Sequence, residues 1–231
     1  MRWWVGFCRA HLHDYSPAAA RFWLTLALIG AWALVLAGVR LAQLEARELW
    51  QILGWSAIAA TAAVFPIQIP RSKHSIATGD IVIFLLLALH GTSAAVLAAG
   101  LEALIASSRS SSRLSSPVAS LCAAAVGMTI GGSLLDIAQP WLQDHGLPYA
   151  AAHLAALAVA VLAYFVVSTM ALMQIVCLKR GVRLTPKEWF DNTSWVGALY
   201  LVAAVLAGLL SLNAQQFAKR SAQHLSFVVA Q

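Results

Sequence analysis

The stretch DIVIFLLLALHGTSAAVLAAGLEALIAS, residues 80–107, decides how the chain folds. It is apolar except at Asp80, at the central His90-Gly91-Thr92-Ser93, at Glu102 and at the closing Ser107. As one helix its 28 residues would run about 42 Å at about 1.5 Å per residue, which exceeds the ~30 Å hydrocarbon core of a bilayer. The central tetrad reads as a helix stop followed by an N-cap. Two short helices are therefore predicted, residues 80–89 and 94–107, forming a re-entrant hairpin or two short, tilted crossings.

Outward from this stretch, apolar runs recur along the chain. They cover residues 22–39, closed by Arg40, and residues 48–65, then 117–137, 149–178 and 195–212. The 30-residue run 149–178 is long enough to tilt or protrude. Gly127 and Gly131 have the small-xxx-small spacing that lets helices approach closely, one of many small-residue contacts expected in an alanine-rich bundle. Pro66 and Pro70 each lack an N–H and disfavour helix in the preceding residue, so the chain is expected to be extended there. Of 231 residues, 61% are hydrophobic and 10% charged, against roughly 25% charged in soluble domains. No polar stretch is long enough to fold alone. The predicted fold is all-α: one polytopic transmembrane bundle over residues 1–231, with about six to seven helices including the short hairpin. Residues 1–20 form an N-terminal segment, and the first apolar run is an uncleaved anchor. In the tail, 213–231, the end Leu225-Ser226-Phe227-Val228-Val229-Ala230-Gln231 looks like the beginning of a further apolar helix.

Charge placement tests the hairpin. With a cytoplasmic N-terminus and a returning segment 80–107, the inner face holds 11 basic residues (Arg2, Arg9, Arg21, Arg71, Lys73, Arg109, Arg113, Lys179, Arg180, Arg183 and Lys187) and the outer face 4 (Arg40, Arg47, Lys219 and Arg220). A single crossing flips every later loop and leaves 7 inside against 8 outside. The positive-inside rule prefers the hairpin. The net charge of +6 is thus a topology signal spread over short loops, and a nucleic-acid partner is rejected.

Ionisable groups within apolar segments are costly, so each is a site hypothesis. Glu102 reads either as a structural tie to Arg109 or Arg113 or as a ligand or signal-sensing group. Asp80 opens a helix, where a carboxylate meets the helix dipole favourably, and it too is a sensing candidate. His90, at the hairpin tip, is either a polar cap or a ligand or proton-sensing group. His153 and Asp136 are placed at the outer interface. Cys122 and Cys177 read as small buried hydrophobes, and Cys8 completes a set without metal-ligand spacing. The run Ser107-Ser108-Arg109-Ser110-Ser111-Ser112-Arg113 reads as a flexible loop at the inner headgroups. Trp3, Trp4, Trp141, Trp189 and Trp195 read as interfacial anchors. No catalytic or phosphate-binding motif is present, and no cofactor or metal is expected.

The block Phe65-Pro66-Ile67-Gln68-Ile69-Pro70, Ser75-Ile76, Gly79-Asp80, Phe84-Leu85, Gly91, Glu102-Ala103-Leu104 and Ser107-Ser108-Arg109 resembles the N-terminal membrane sensory region of bacterial diguanylate cyclase (GGDEF) and HD-GYP signalling proteins. The resemblance covers about 45 residues, 65–109, and the later helices only in arrangement. It implies a non-catalytic sensory or regulatory module of cyclic di-GMP signalling in the bacterial inner membrane. The implied partners are the lipid bilayer, a cytoplasmic cyclase or phosphodiesterase output module in cis or in trans, and a second copy forming a homodimer. No GGDEF motif is present, and the strings Glu102-Ala103-Leu104 and His13-Asp14 stand in no soluble output module, so the chain is expected to be a truncated sensor or a stand-alone relative. The alternative is a small-solute-binding membrane subunit of an uptake transporter, also a compact bundle of about six helices. A membrane-embedded enzyme would need convergent polar groups at the midplane, and only Glu102 is a serious candidate.

Overall fold

A computed structural model of the chain describes residues 14–64, 67–68, 75–76, 79–111 and 113–229, with the backbone alone at 67–68, 75–76, 110, 218–219 and 221–229. Seven helices form among the described residues: α1 (Pro17–Leu41), α2 (Ala46–Ala62), α3 (Asp80–His90), α4 (Thr92–Ser110), α5 (Ser115–Asp144), α6 (Tyr149–Arg180) and α7 (Pro186–Val229). One antiparallel pair of two-residue strands, β1 (Ile67–Gln68) and β2 (Ser75–Ile76), joins Ile67 to Ile76 and Gln68 to Ser75. Pro66 and Pro70, the segments 71–74 and 77–78, Cys8, Trp3 and Trp4 lie outside the described residues.

Four helices are long and apolar enough to cross a membrane: α1, α5, α6 and α7 as far as Phe217. The expected helical bundle is present. Its spans are not six alike, because α2 has only 17 residues and the hairpin helices have 11 and 19. Large apolar side chains such as Leu28, Trp32 and Trp50 stand exposed on the outside of the bundle, as a hydrocarbon solvent permits.

The boundaries follow local chemistry. Ser16 caps α1, its hydroxyl accepting from the Ala19 N–H at 3.1 Å and donating to the Leu178 carbonyl at 2.9 Å, with Pro17 in the first turn. This start lies five residues before the apolar run, because caps rather than hydropathy set helix ends. Between α3 and α4 a single residue, Gly91, turns the chain with φ +82°, a conformation costly for any side chain. Thr92 and Ser93 do not cap: no side-chain cap bond forms at the start of α4, and the Thr92 hydroxyl instead reaches Asp136 at 3.4 Å. Ser107 to Ser110 continue α4 rather than forming a loop.

The hairpin returns to the end it left. Arg109, near the end of α4, donates to the Val64 carbonyl just past α2, and Ser107 meets Ser116 of α5 at 3.2 Å. Arg113 pairs with Asp14 at the same end. At the opposite end, His90 lies 3.6 Å from Glu48 and Tyr149 donates to Gln215 at 3.0 Å. The hairpin supplies much of the main core, with Ile83, Phe84, Leu86 and Leu87 of α3 buried together with Met128, Leu157 and Val161.

Two glycines bring the backbones of α5 and α6 close together. A Cβ at Gly131 would stand 2.5 Å from the Ala160 carbonyl oxygen, and one at Gly127 3.0 Å from that of Tyr164. The glycine spacing therefore builds one specific interface. Cys122 is buried against Gly30 of α1, and Cys177 is half-buried.

The seventh helix differs most from the sequence reading. Residues 195–212 and the tail as far as Val229 are parts of one 44-residue helix. Thr185 precedes it, its hydroxyl accepting from the Glu188 N–H at 3.4 Å. No glycine or proline occurs from Asn213 to Val229, so nothing in the tail breaks the helix.

Candidate functional site

The hairpin brings Asp80 and Glu102 together. Each lies 11 residues from Gly91, Asp80 before and Glu102 after, so folding back at Gly91 sets them at one depth. Gly79 makes the approach possible. A Cβ there would stand 2.9 Å from the Ala59 carbonyl oxygen of α2 and 3.4 Å from Glu102 Oε1. Asp80 is 7% and Glu102 5% exposed, and each carboxyl lies within electrostatic reach of the other.

Two tyrosines complete the cluster. The Tyr200 hydroxyl of α7 faces the Asp80 carboxyl closely enough for the two to interact. Tyr164 of α6 packs beside it, ring centroids 5.9 Å apart, and Phe84 stands 6.0 Å from Tyr164 and 5.7 Å from Tyr200. Tyr164 lies 15 residues from the start of α6 and 16 from its end, so the cluster sits near the middle of the bundle. Four helices thus converge on a polar centre walled by aromatic rings.

That centre lacks a counter-charge among the described residues. Arg109 and Arg113, the expected partners of Glu102, point elsewhere: Arg109 to the Val64 carbonyl, Arg113 to Asp14. Both lie at least seven residues beyond Glu102, about 10 Å along the helix axis, and reach the bundle end instead. Glu102 Oε1 is buried with no hydrogen-bond partner among the described residues, as is the Ser56 hydroxyl of α2. Asp80 stands in the first turn of α3, where the sequence placed it, and its carboxyl also faces Tyr200 of α7.

His90 does not join this site. It ends α3 at the far end of the hairpin beside Glu48. His153, placed at the interface by sequence, is 2% exposed. Its Nδ1 lies 3.0 Å from Gln139 Oε1 and its Nε2 3.0 Å from the Ser211 hydroxyl. It lies four residues into α6 and faces inward, where α5 and α7 close over it. Trp141 and Trp189 lie in the end turns of their helices, while Trp195 is nine residues into α7.

Tyr164 and Tyr200 were missed by sequence reasoning. Their signal was a phenol within an apolar run, because a buried hydroxyl in hydrocarbon needs a partner. Among the described residues no group of three or more His, Cys, Asp or Glu side chains is placed to hold a metal. Two buried carboxylates without a counter-charge make a receptor for positive charge, either a proton or a small cation. Compared with known protein families, with curated proteins and with solved structures, the chain matches none.

Proposed function

We propose that the chain is a membrane-embedded sensory or regulatory module, not itself catalytic, that takes its signal as a positive charge at the Asp80–Glu102 pair. The observation that carries this reading is Glu102 Oε1, buried without a partner among the described residues beside a second carboxylate. Such a group costs stability, and binding relieves the cost. Tyr200 offers the route outward, since its hydroxyl faces Asp80 and it belongs to the 44-residue α7. The distribution of arginine and lysine supports a cytoplasmic N-terminus in a bacterial inner membrane. A cyclase or phosphodiesterase module, in cis or in trans, is the output consistent with the sequence resemblance.

The test is a distance measurement between spin labels at exposed Leu28 of α1 and Phe217 of α7 in proteoliposomes. Moving from pH 8 to pH 5 is expected to shift the distance distribution of the otherwise native chain and leave Glu102→Gln unchanged. Identical distributions at both pH values in the native chain sink the proposal.

A second reading, the solute-binding subunit of an uptake transporter, is favoured by a cavity of about 290 Å³ at the end of the bundle remote from Arg109. Co-purification with an energy-coupling module separates it from the first.

A further inference from the structure

The cavity lies between the end of α3, α5 and the start of α6. Its wall includes Leu87, Leu135, Asp136, Gln139, Tyr149 and His153. Asp136 accepts from Thr92 at 3.4 Å and forms no ion pair among the described residues. Arg40 lines a second, smaller cavity of about 120 Å³ that shares Asp136. The first cavity therefore presents no lysine or arginine.

The histidine in its wall is fully engaged. Its Nε2 meets the Ser211 hydroxyl at 3.0 Å and its Nδ1 meets Gln139 Oε1 at 3.0 Å, so both ring nitrogens and the Gln139 oxygen are taken. Tyr149 is fixed on both sides: its hydroxyl donates to Gln215 at 3.0 Å and its ring stacks on His153, 12° from parallel. What remains for an occupant is a carboxylate and an aromatic face. Those groups together recognise an ammonium ion. One carboxylate supplies too few oxygens for a divalent metal.

We propose that this cavity binds a small solute carrying an ammonium group, with Asp136 as its counter-charge and the Tyr149 ring as its wall. The proposal rests on neither functional reading above, since the solute serves equally as signal or as cargo.

The test uses the full chain in detergent micelles at constant ionic strength, with ethylammonium chloride as probe and 1-propanol as its uncharged counterpart. Ethylammonium is expected to raise the thermal midpoint saturably and to give saturation-transfer NMR signals, while 1-propanol does neither. Asp136→Asn, at an exposed position that keeps an acceptor for Thr92, is expected to weaken the apparent affinity at least tenfold. Leu87→Trp, which fills the cavity, is expected to abolish it. Glu102→Gln is expected to leave it intact. Equal effects of the two probes, no response in the native chain, or an unchanged response in Asp136→Asn overturns the proposal. So does loss of the response in Glu102→Gln alone, which places the cation at the central pair instead.

Discussion

Two polar clusters lie about three turns apart along α6, one around Tyr164 and one around His153, and they handle burial in opposite ways. At His153 both ring nitrogens have partners, on α5 and on α7. At Glu102 a buried carboxylate oxygen has none among the described residues, and a second carboxylate lies beside it. The first cluster fastens three long helices to one another. The second costs the bundle stability, and natural sequences retain such groups where binding or switching depends on them. Burial alone therefore does not distinguish a site from a strut; the count of satisfied hydrogen bonds does.

The largest expected effect removes both clusters together. Gly131→Leu drives a side chain into the Ala160 carbonyl and should destabilise the protein by at least about 3 kcal/mol, read as the midpoint of unfolding in mixed detergent micelles. It parts α5 from α6, which carries both Tyr164 and His153. His153→Leu should cost about 2 kcal/mol by leaving the Gln139 amide and the Ser211 hydroxyl without the ring, while leaving the central pair in place. Glu102→Leu should move the same midpoint the other way, gaining about 1–2 kcal/mol as an unpaired carboxylate gives way to hydrocarbon. A loss there of the size seen at His153 erases the distinction between the clusters. Ser16→Ala, which touches neither, should cost about 1 kcal/mol through the lost cap of α1. It serves as the measure of ordinary destabilisation, and its response to pH or probe should match that of the native chain.

The sequence revealed more of the fold than of the site. Hydropathy located the long helices, and Gly91 with the distribution of basic residues announced the hairpin. Asp80 and Glu102 stood out singly as carboxylates in apolar surroundings. That they meet was also legible, since they are equidistant from the turn. Tyr164 and Tyr200 were harder, because their place beside the pair depends on how α6 and α7 rotate about their axes, which follows from packing of small residues such as Ala160 and Gly131. His153 failed for the same reason. The continuity of α7 was obscured by its polar residues from Asn213 to Ser221, which look like a loop on a hydropathy scale yet include good helix formers.

The length of that helix has a mechanical consequence. Tyr200 stands 14 residues from Pro186 and Val229 stands 43, distances of about 21 and 65 Å along a straight axis. With the Pro186 end held in place, α7 acts as a lever arm with an advantage of about three. A sideways displacement of about 1 Å at Tyr200 becomes about 3 Å at Val229 without any change in the helix itself.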